Sequence, residues 1–111
     1  MKINELIKRY NFHDSYIENF TYDKTINKMT LNLKIYGSLN KEFNKENIQL
    51  IFNEIENYKN NANSNIVGEY VLNIWKTKGT KNSVELILDD DEYSIIYFDA
   101  KSVDIICWEK I

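Results

Sequence analysis

Histidine, aspartate and serine stand side by side at His13-Asp14-Ser15, directly after Phe12. An imidazole that titrates near neutrality, a carboxylate and a hydroxyl are the groups used in general acid–base and nucleophilic chemistry. That chemistry requires the groups to converge, and neighbours on an extended segment point in different directions, so adjacency alone makes no triad. His13 is the only histidine and Cys107 the only cysteine. A zinc site would have to combine His13 with carboxylates alone, a poor ligand set, and no metal or other cofactor is expected. The same residues suit a structural joint. Asp14 and Ser15 can take up free backbone N–H groups, and His13 can bridge a helix end to a sheet. The joint is the favoured reading, with His13 and Asp14 as candidate binding residues.

The second cluster is Asp89-Asp90-Asp91-Glu92. Calcium loops place carboxylates at alternating positions with a glycine turn, whereas these four acids are contiguous and no glycine follows. They read as a solvated turn, and as candidate binding residues only in offering negative charge to a partner. Lys76, Lys78 and Lys81 flank Gly79, but a phosphate cradle needs more glycines and a following helix. Cys107 lies in an apolar run and reads as a core thiol. Trp75 and Trp108 read as core residues near strand ends, with an interface as the competing role.

These residues have to be positioned by a mostly β chain. Ile3, Leu6, Ile7 and Tyr10 recur at helical spacing, which predicts a short helix over 2–10 with Asn4 as a possible cap. So short a helix is unstable alone and must dock on the sheet. Tyr16–Asp23 reads as a strand whose apolar residues, Ile17, Phe20 and Tyr22, do not share one parity; a bulge near Glu18-Asn19 reconciles them. After a turn at 24–27, Met29, Leu31, Leu33 and Ile35 alternate cleanly with polar residues, completing a hairpin. Residues 37–46 read as a polar connection. Over 45–58, strand is preferred to helix, although Ile48, Ile51, Phe52 and Ile55 also fit a period of 3.6. Residues 57–65 read as an asparagine-rich loop. Residues 66–76 read as a strand with Tyr70, Leu72 and Ile74 on one face. Residues 77–82 form a hairpin loop, a strand follows around Val84–Leu88, and the last two strands are 93–98 and 103–108. Those last strands are apolar on both faces, which predicts that both faces are covered. The expected fold is one domain over 1–111, mostly β (α+β). It has about seven antiparallel strands in a curled sheet or sandwich with one short N-terminal helix.

Composition narrows the function classes. The chain has 111 residues, is 43% hydrophobic and 14% aromatic, and carries a net charge of −3. Residues 1–47 hold eight Lys/Arg and six Asp/Glu, whereas residues 48–111 hold six lysines and eleven acids. An acidic second half argues against nucleic acid, which needs a concentrated basic surface. It suits a basic protein partner, with ordinary solubility as the plainer explanation. A lone cysteine fits a reducing compartment, no apolar run is long enough for a membrane span, and the first residues lack the apolar core of a signal peptide. The expected location is cytoplasmic.

The segment Phe12-His13-Asp14-Ser15-x-Ile17, followed by a hairpin ending in Met29-x-Leu31-x-Leu33, resembles the "FHD-Ser/Ala-x-Val/Ile" opening of a family of small bacterial β-rich proteins. Members of that family are classed among the immunity proteins of polymorphic toxin systems. Ile48-x-Leu50-x-Phe52, Asn65-Ile66 and the closing aromatic or cysteine at Phe98 or Cys107 are similar to later parts of the pattern. The resemblance implies a non-enzymatic role, binding and blocking a cognate toxin by surface complementarity, and it carries no catalytic residues. Two other readings stay open: a small ligand-binding protein or enzyme using His13 and Asp14, and a homo-oligomer pairing through its last strands.

Overall fold

A computed structural model describes residues 1–35, 47–62, 65–76 and 83–108. Within it lie one helix, α1 (Ile3–Arg9), and eight strands: β1 (Tyr16–Asp23), β2 (Lys28–Lys34), β3 (Asn47–Asn53), β4 (Glu56–Asn60), β5 (Val71–Lys76), β6 (Ser83–Leu88), β7 (Ile95–Asp99) and β8 (Ser102–Trp108). The strands form two antiparallel sheets, ordered β1-β2-β3-β8 and β4-β7-β6-β5. The expected class, mostly β with one short N-terminal helix, is the class found, with eight strands where about seven were expected.

The first hairpin follows its alternation. Met29, Leu31 and Leu33 point into the core, and Ile48, Leu50 and Phe52 of β3 lie opposite them. The pairing of β1 with β2 slips between Ile17 and Asn19, so the expected bulge is present, and it brings Ile17, Phe20 and Tyr22 opposite Leu33, Leu31 and Met29. In the turn, the Asp23 carboxylate accepts from Thr25 N (3.0 Å) and Thr25 Oγ1 (2.6 Å).

Residues 45–58 are strand and not helix where described, but they are two strands in different sheets. Glu54 adopts a left-handed φ of 53° and redirects the chain. The segment 57–65, expected as loop, therefore begins as strand β4. Its polarity is that of an edge strand exposed along most of its length. The chain crosses back between β7 and β8 at the same place: Asn53 partners Ser102, Glu56 partners Asp99, and Lys101 N donates to Asn53 O (3.0 Å). The two sheets thus share one bent pair of strands, with Phe52 and Phe98 edge to face at 4.9 Å inside the bend.

On another side the sheets meet through main-chain bonds. Ile17 N donates to Glu69 O (3.0 Å), Gly68 N to Ile17 O (2.9 Å), and Val71 N to Ser15 O (2.8 Å). The strand expected from Ile66 starts only at Val71, because Ile66–Tyr70 is a turn in which Gly68 takes φ 95°. A second bulge, between Val71 and Asn73, puts Val71 and Ile74 both in the core and leaves Tyr70 44% exposed. Tyr70 and Ile74 therefore do not share the face expected of them, and the side chain of Leu72 lies outside the described residues.

Helix α1 touches β5 and β8, one strand from each sheet, and buries Ile3 and Leu6. Its N-cap is Lys2 and not Asn4, with no side-chain cap; the end is held instead by the Met1 ammonium on Val103 O (2.7 Å) and Val103 N on Met1 O (2.9 Å). Glu5 in the first turn and Lys8 and Arg9 in the last complement the helix dipole. The expectation that the last strands are covered on both faces fails for β8, whereas β7 has Ile96 and Phe98 buried and Ile95 and Tyr97 half-buried. Val103 is buried, but Asp104 is exposed and Ile106 is 50% exposed, so the outer face of β8 meets solvent. Isolated apolar side chains on an outer sheet face are ordinary, and two-faced sequence does not compel two-faced burial.

Candidate functional site

The joint between α1 and β1 is anchored by Phe12, buried beneath Tyr10 with ring centroids 6.0 Å apart. His13 and Asp14 project outward. His13 Nε2 stands 3.4 Å from Asp14 Oδ2, and both side chains are about half exposed. Main-chain bonds hold this joint, by a different route from the one expected. Asp14 takes φ 63°, its N–H donates to Val71 O (2.8 Å), His13 N donates to Asn11 Oδ1 (3.0 Å), and Ser15 N to Phe12 O (3.0 Å). Main-chain carbonyls and Asn11 therefore do the tethering that was assigned to the Asp14 and Ser15 side chains. The Ser15 hydroxyl is buried with no hydrogen-bond partner among the described residues.

The acidic turn is closed by hydrogen bonds. Leu88 N donates to Ser94 O (2.9 Å), Tyr93 N to Asp90 O (3.2 Å), and Ser94 N to Asp90 Oδ1 (2.8 Å). Hydrogen bonding from Ser94, hydroxyl first and then N–H, holds the Asp90 carboxyl below the usual carboxylate range. Asp90 is thus spent inside the turn, while Asp89, Asp91 and Glu92 are exposed.

The fold brings these two candidates to one end of the molecule, which the sequence did not reveal. Asp89 N donates to Tyr70 O (2.8 Å), and Asp14 N donates to the next carbonyl, Val71 O. Consecutive carbonyls of an extended chain point to opposite edges, so the joint and the acidic turn flank Tyr70-Val71 from either side, roughly 10 Å apart. The three segments that meet here, 11–18, 65–70 and 88–94, contain seven carboxylates and no lysine or arginine. They also contain Val67, Tyr70 and Tyr93, all large apolar side chains exposed to solvent.

A groove of about 600 Å³ opens beside this end, lined by Tyr16, Glu18, Lys34 and Tyr70. Tyr16 and Tyr70 pack edge to face, centroids 5.4 Å apart and planes at 68°. Gly68 passes below them; a Cβ there would lie 3.8 Å from Tyr16 Oη, and its φ of 95° is one that side chains resist. Sequence reasoning missed this groove because period-two alternation puts Tyr70 on the face of Ile74, and the bulge at Val71–Asn73 parts the two.

A polar cluster at the bend was also missed. Asp99 accepts from Ser83 Oγ (2.5 Å) and Asn57 Nδ2 (2.7 Å), and Tyr97 Oη lies 3.0 Å from Ser83 Oγ and 3.3 Å from Asp99 Oδ1. Ser83, then Asn57, hold the Asp99 carboxyl below its ordinary range. The cluster ties β4, β6 and β7 together. Among the described residues no group of three His, Cys, Asp or Glu is placed to hold a metal ion, and no helix is long and apolar enough to cross a membrane. The lysine–glycine loop at 77–82, the polar connection at 37–46, and the side chains of Cys107, Trp75 and Trp108 lie outside the described residues.

No protein-family model matches the chain, and no curated protein does. Among solved structures, the chain is similar to an uncharacterized protein from Neisseria gonorrhoeae. Identity is 16% and the TM-score 0.52, over 85% of this chain and 91% of that one. At this identity the likeness is one of fold.

Proposed function

We propose that the protein is a non-enzymatic binding module of immunity type, which neutralises a cognate toxin by covering a basic surface of it. The observation that carries this reading is the acidic end of the molecule: seven carboxylates around exposed tyrosines, drawn from three separated segments that themselves hold no lysine or arginine, with Lys34 at the groove beside them. Aromatic centres with a charged surround are the usual make-up of a protein interface, and one sign of charge speeds encounter with the opposite sign. The hydrogen bonds that close the turn at 89–94 and the main-chain tether of Asp14 lower the ordering cost of presenting these charges. The FHD-Ser segment falls within the same end.

The test is co-expression with the toxin encoded beside this gene. Expected are rescue of growth, a one-to-one complex by calorimetry, and an affinity that falls steeply as salt rises. Absence of a neighbouring toxin gene, or toxicity unrelieved by co-expression, refutes the reading.

A further inference from the structure

The groove at the acidic end has a chemistry of its own, and resting on the reading above we infer that it is the socket for an arginine side chain of the basic partner. In an edge-to-face tyrosine pair, both faces of the edge-on ring are left uncovered by its neighbour, so Tyr16 and Tyr70 offer a π surface at the groove. Glu18 lines the same groove. It is the extra residue of the β1 bulge and is exposed. A ring face with a carboxylate beside it matches a guanidinium, which stacks flat and donates a two-pronged hydrogen bond; an ammonium does only part of this. The surrounding segments add Asp14, Glu69 and Asp89 to the negative field. Tyrosine sockets that take arginine are also where interfaces concentrate binding energy.

Lys34 opposes the occupant. It lines the groove, partners Tyr16 across the hairpin, and forms no ion pair with Glu18 within 4 Å. A cation entering beside Glu18 meets its repulsion, so the assignment makes an uncommon demand: removing this lysine strengthens binding. A socket for an acidic group requires the opposite, and one for a neutral group little change.

The test uses the isotopically labelled full chain and N-acetyl-L-arginine amide as probe, followed by NMR, with N-acetyl-L-leucine amide as the neutral comparator. The arginine probe is expected to shift the amides of Tyr16, Glu18, Gly68 and Tyr70 in a saturable manner. Tyr70→Phe should keep the effect, Tyr70→Leu should abolish it, and Lys34→Ala should tighten it several-fold. Shifts scattered elsewhere, an equal response to the leucine probe, an unaltered response in Tyr70→Leu, or weaker binding in Lys34→Ala overturns the assignment. With the cognate toxin, Glu18→Gln and Tyr70→Leu should each weaken the complex about tenfold. A toxin that binds both variants as tightly as the parent sinks the socket and leaves the immunity reading standing. Arginine that titrates into the groove of a protein that binds no toxin sinks the immunity reading and leaves the socket.

Discussion

Ser15 illustrates how a residue chosen for its chemistry can serve by its backbone alone. Its carbonyl accepts from Val71 N and its N–H donates to Phe12 O, but its buried hydroxyl is unsatisfied among the described residues. Burying a hydroxyl without a partner costs on the order of 1–3 kcal/mol. Ser15→Ala keeps every main-chain bond and removes that cost. It is expected to raise stability by about 1 kcal/mol in a urea titration; a loss of stability would mean that the hydroxyl has a role the geometry does not supply. His13 and Asp14 were legible as a joint because a histidine, an acid and a serine fall where the helical period stops. Which groups do the tethering was not legible, because it depends on β5, more than fifty residues away.

At the scale of elements, α1 is a helix made stable by its neighbours. Seven residues without a side-chain cap do not persist alone in water. Ile3 and Leu6 are buried against the sandwich, and Met1 fastens the end to Val103. Leu6→Ala is therefore expected to cost about 2–4 kcal/mol, measured by thermal or urea unfolding. A change below about 0.5 kcal/mol, the range of surface substitutions, would show the helix to be undocked. Most strands were legible through their alternation, and the first bulge through a break in parity. The second bulge was not, since Val71, Leu72 and Asn73 show no such break and the slip is defined only by β6 alongside. The division of 47–60 into two strands was equally hidden: the reversal at Glu54 uses a residue with no turn preference, in a conformation that the bend imposes.

For the whole molecule, acid should act through a few carboxylates held by hydrogen bonds. Asp99, held by Ser83 and then Asn57, and Asp90, held by Ser94, have carboxyls depressed in the folded state, as does Asp23 through the Thr25 hydroxyl. A depressed folded value means that the unfolded chain binds protons first on acidification. The stabilisation is thus fully present above the ordinary aspartate range and is lost as pH falls through the folded values. Stability is expected to be level near neutrality and to decline below about pH 4. Asp99→Asn should lower the neutral plateau and flatten the decline; an unchanged slope in that variant would remove Asp99 from the account.

Period, turn chemistry and the excess of acid in the second half sufficed, without coordinates, for the class of fold, the docking helix, the first hairpin with its bulge, and the two polar clusters worth watching. These are properties of neighbours along the chain, where local sterics and alternation leave a direct trace. Tertiary structure alone decided that the two clusters meet on either side of Tyr70-Val71, that Tyr70 faces out beside Tyr16, and that Asp99 holds three strands at the bend. Each of these rests on pairings between distant segments. The free energy that selects such a pairing comes from burying one shared core, and it leaves no mark at the individual positions it brings together.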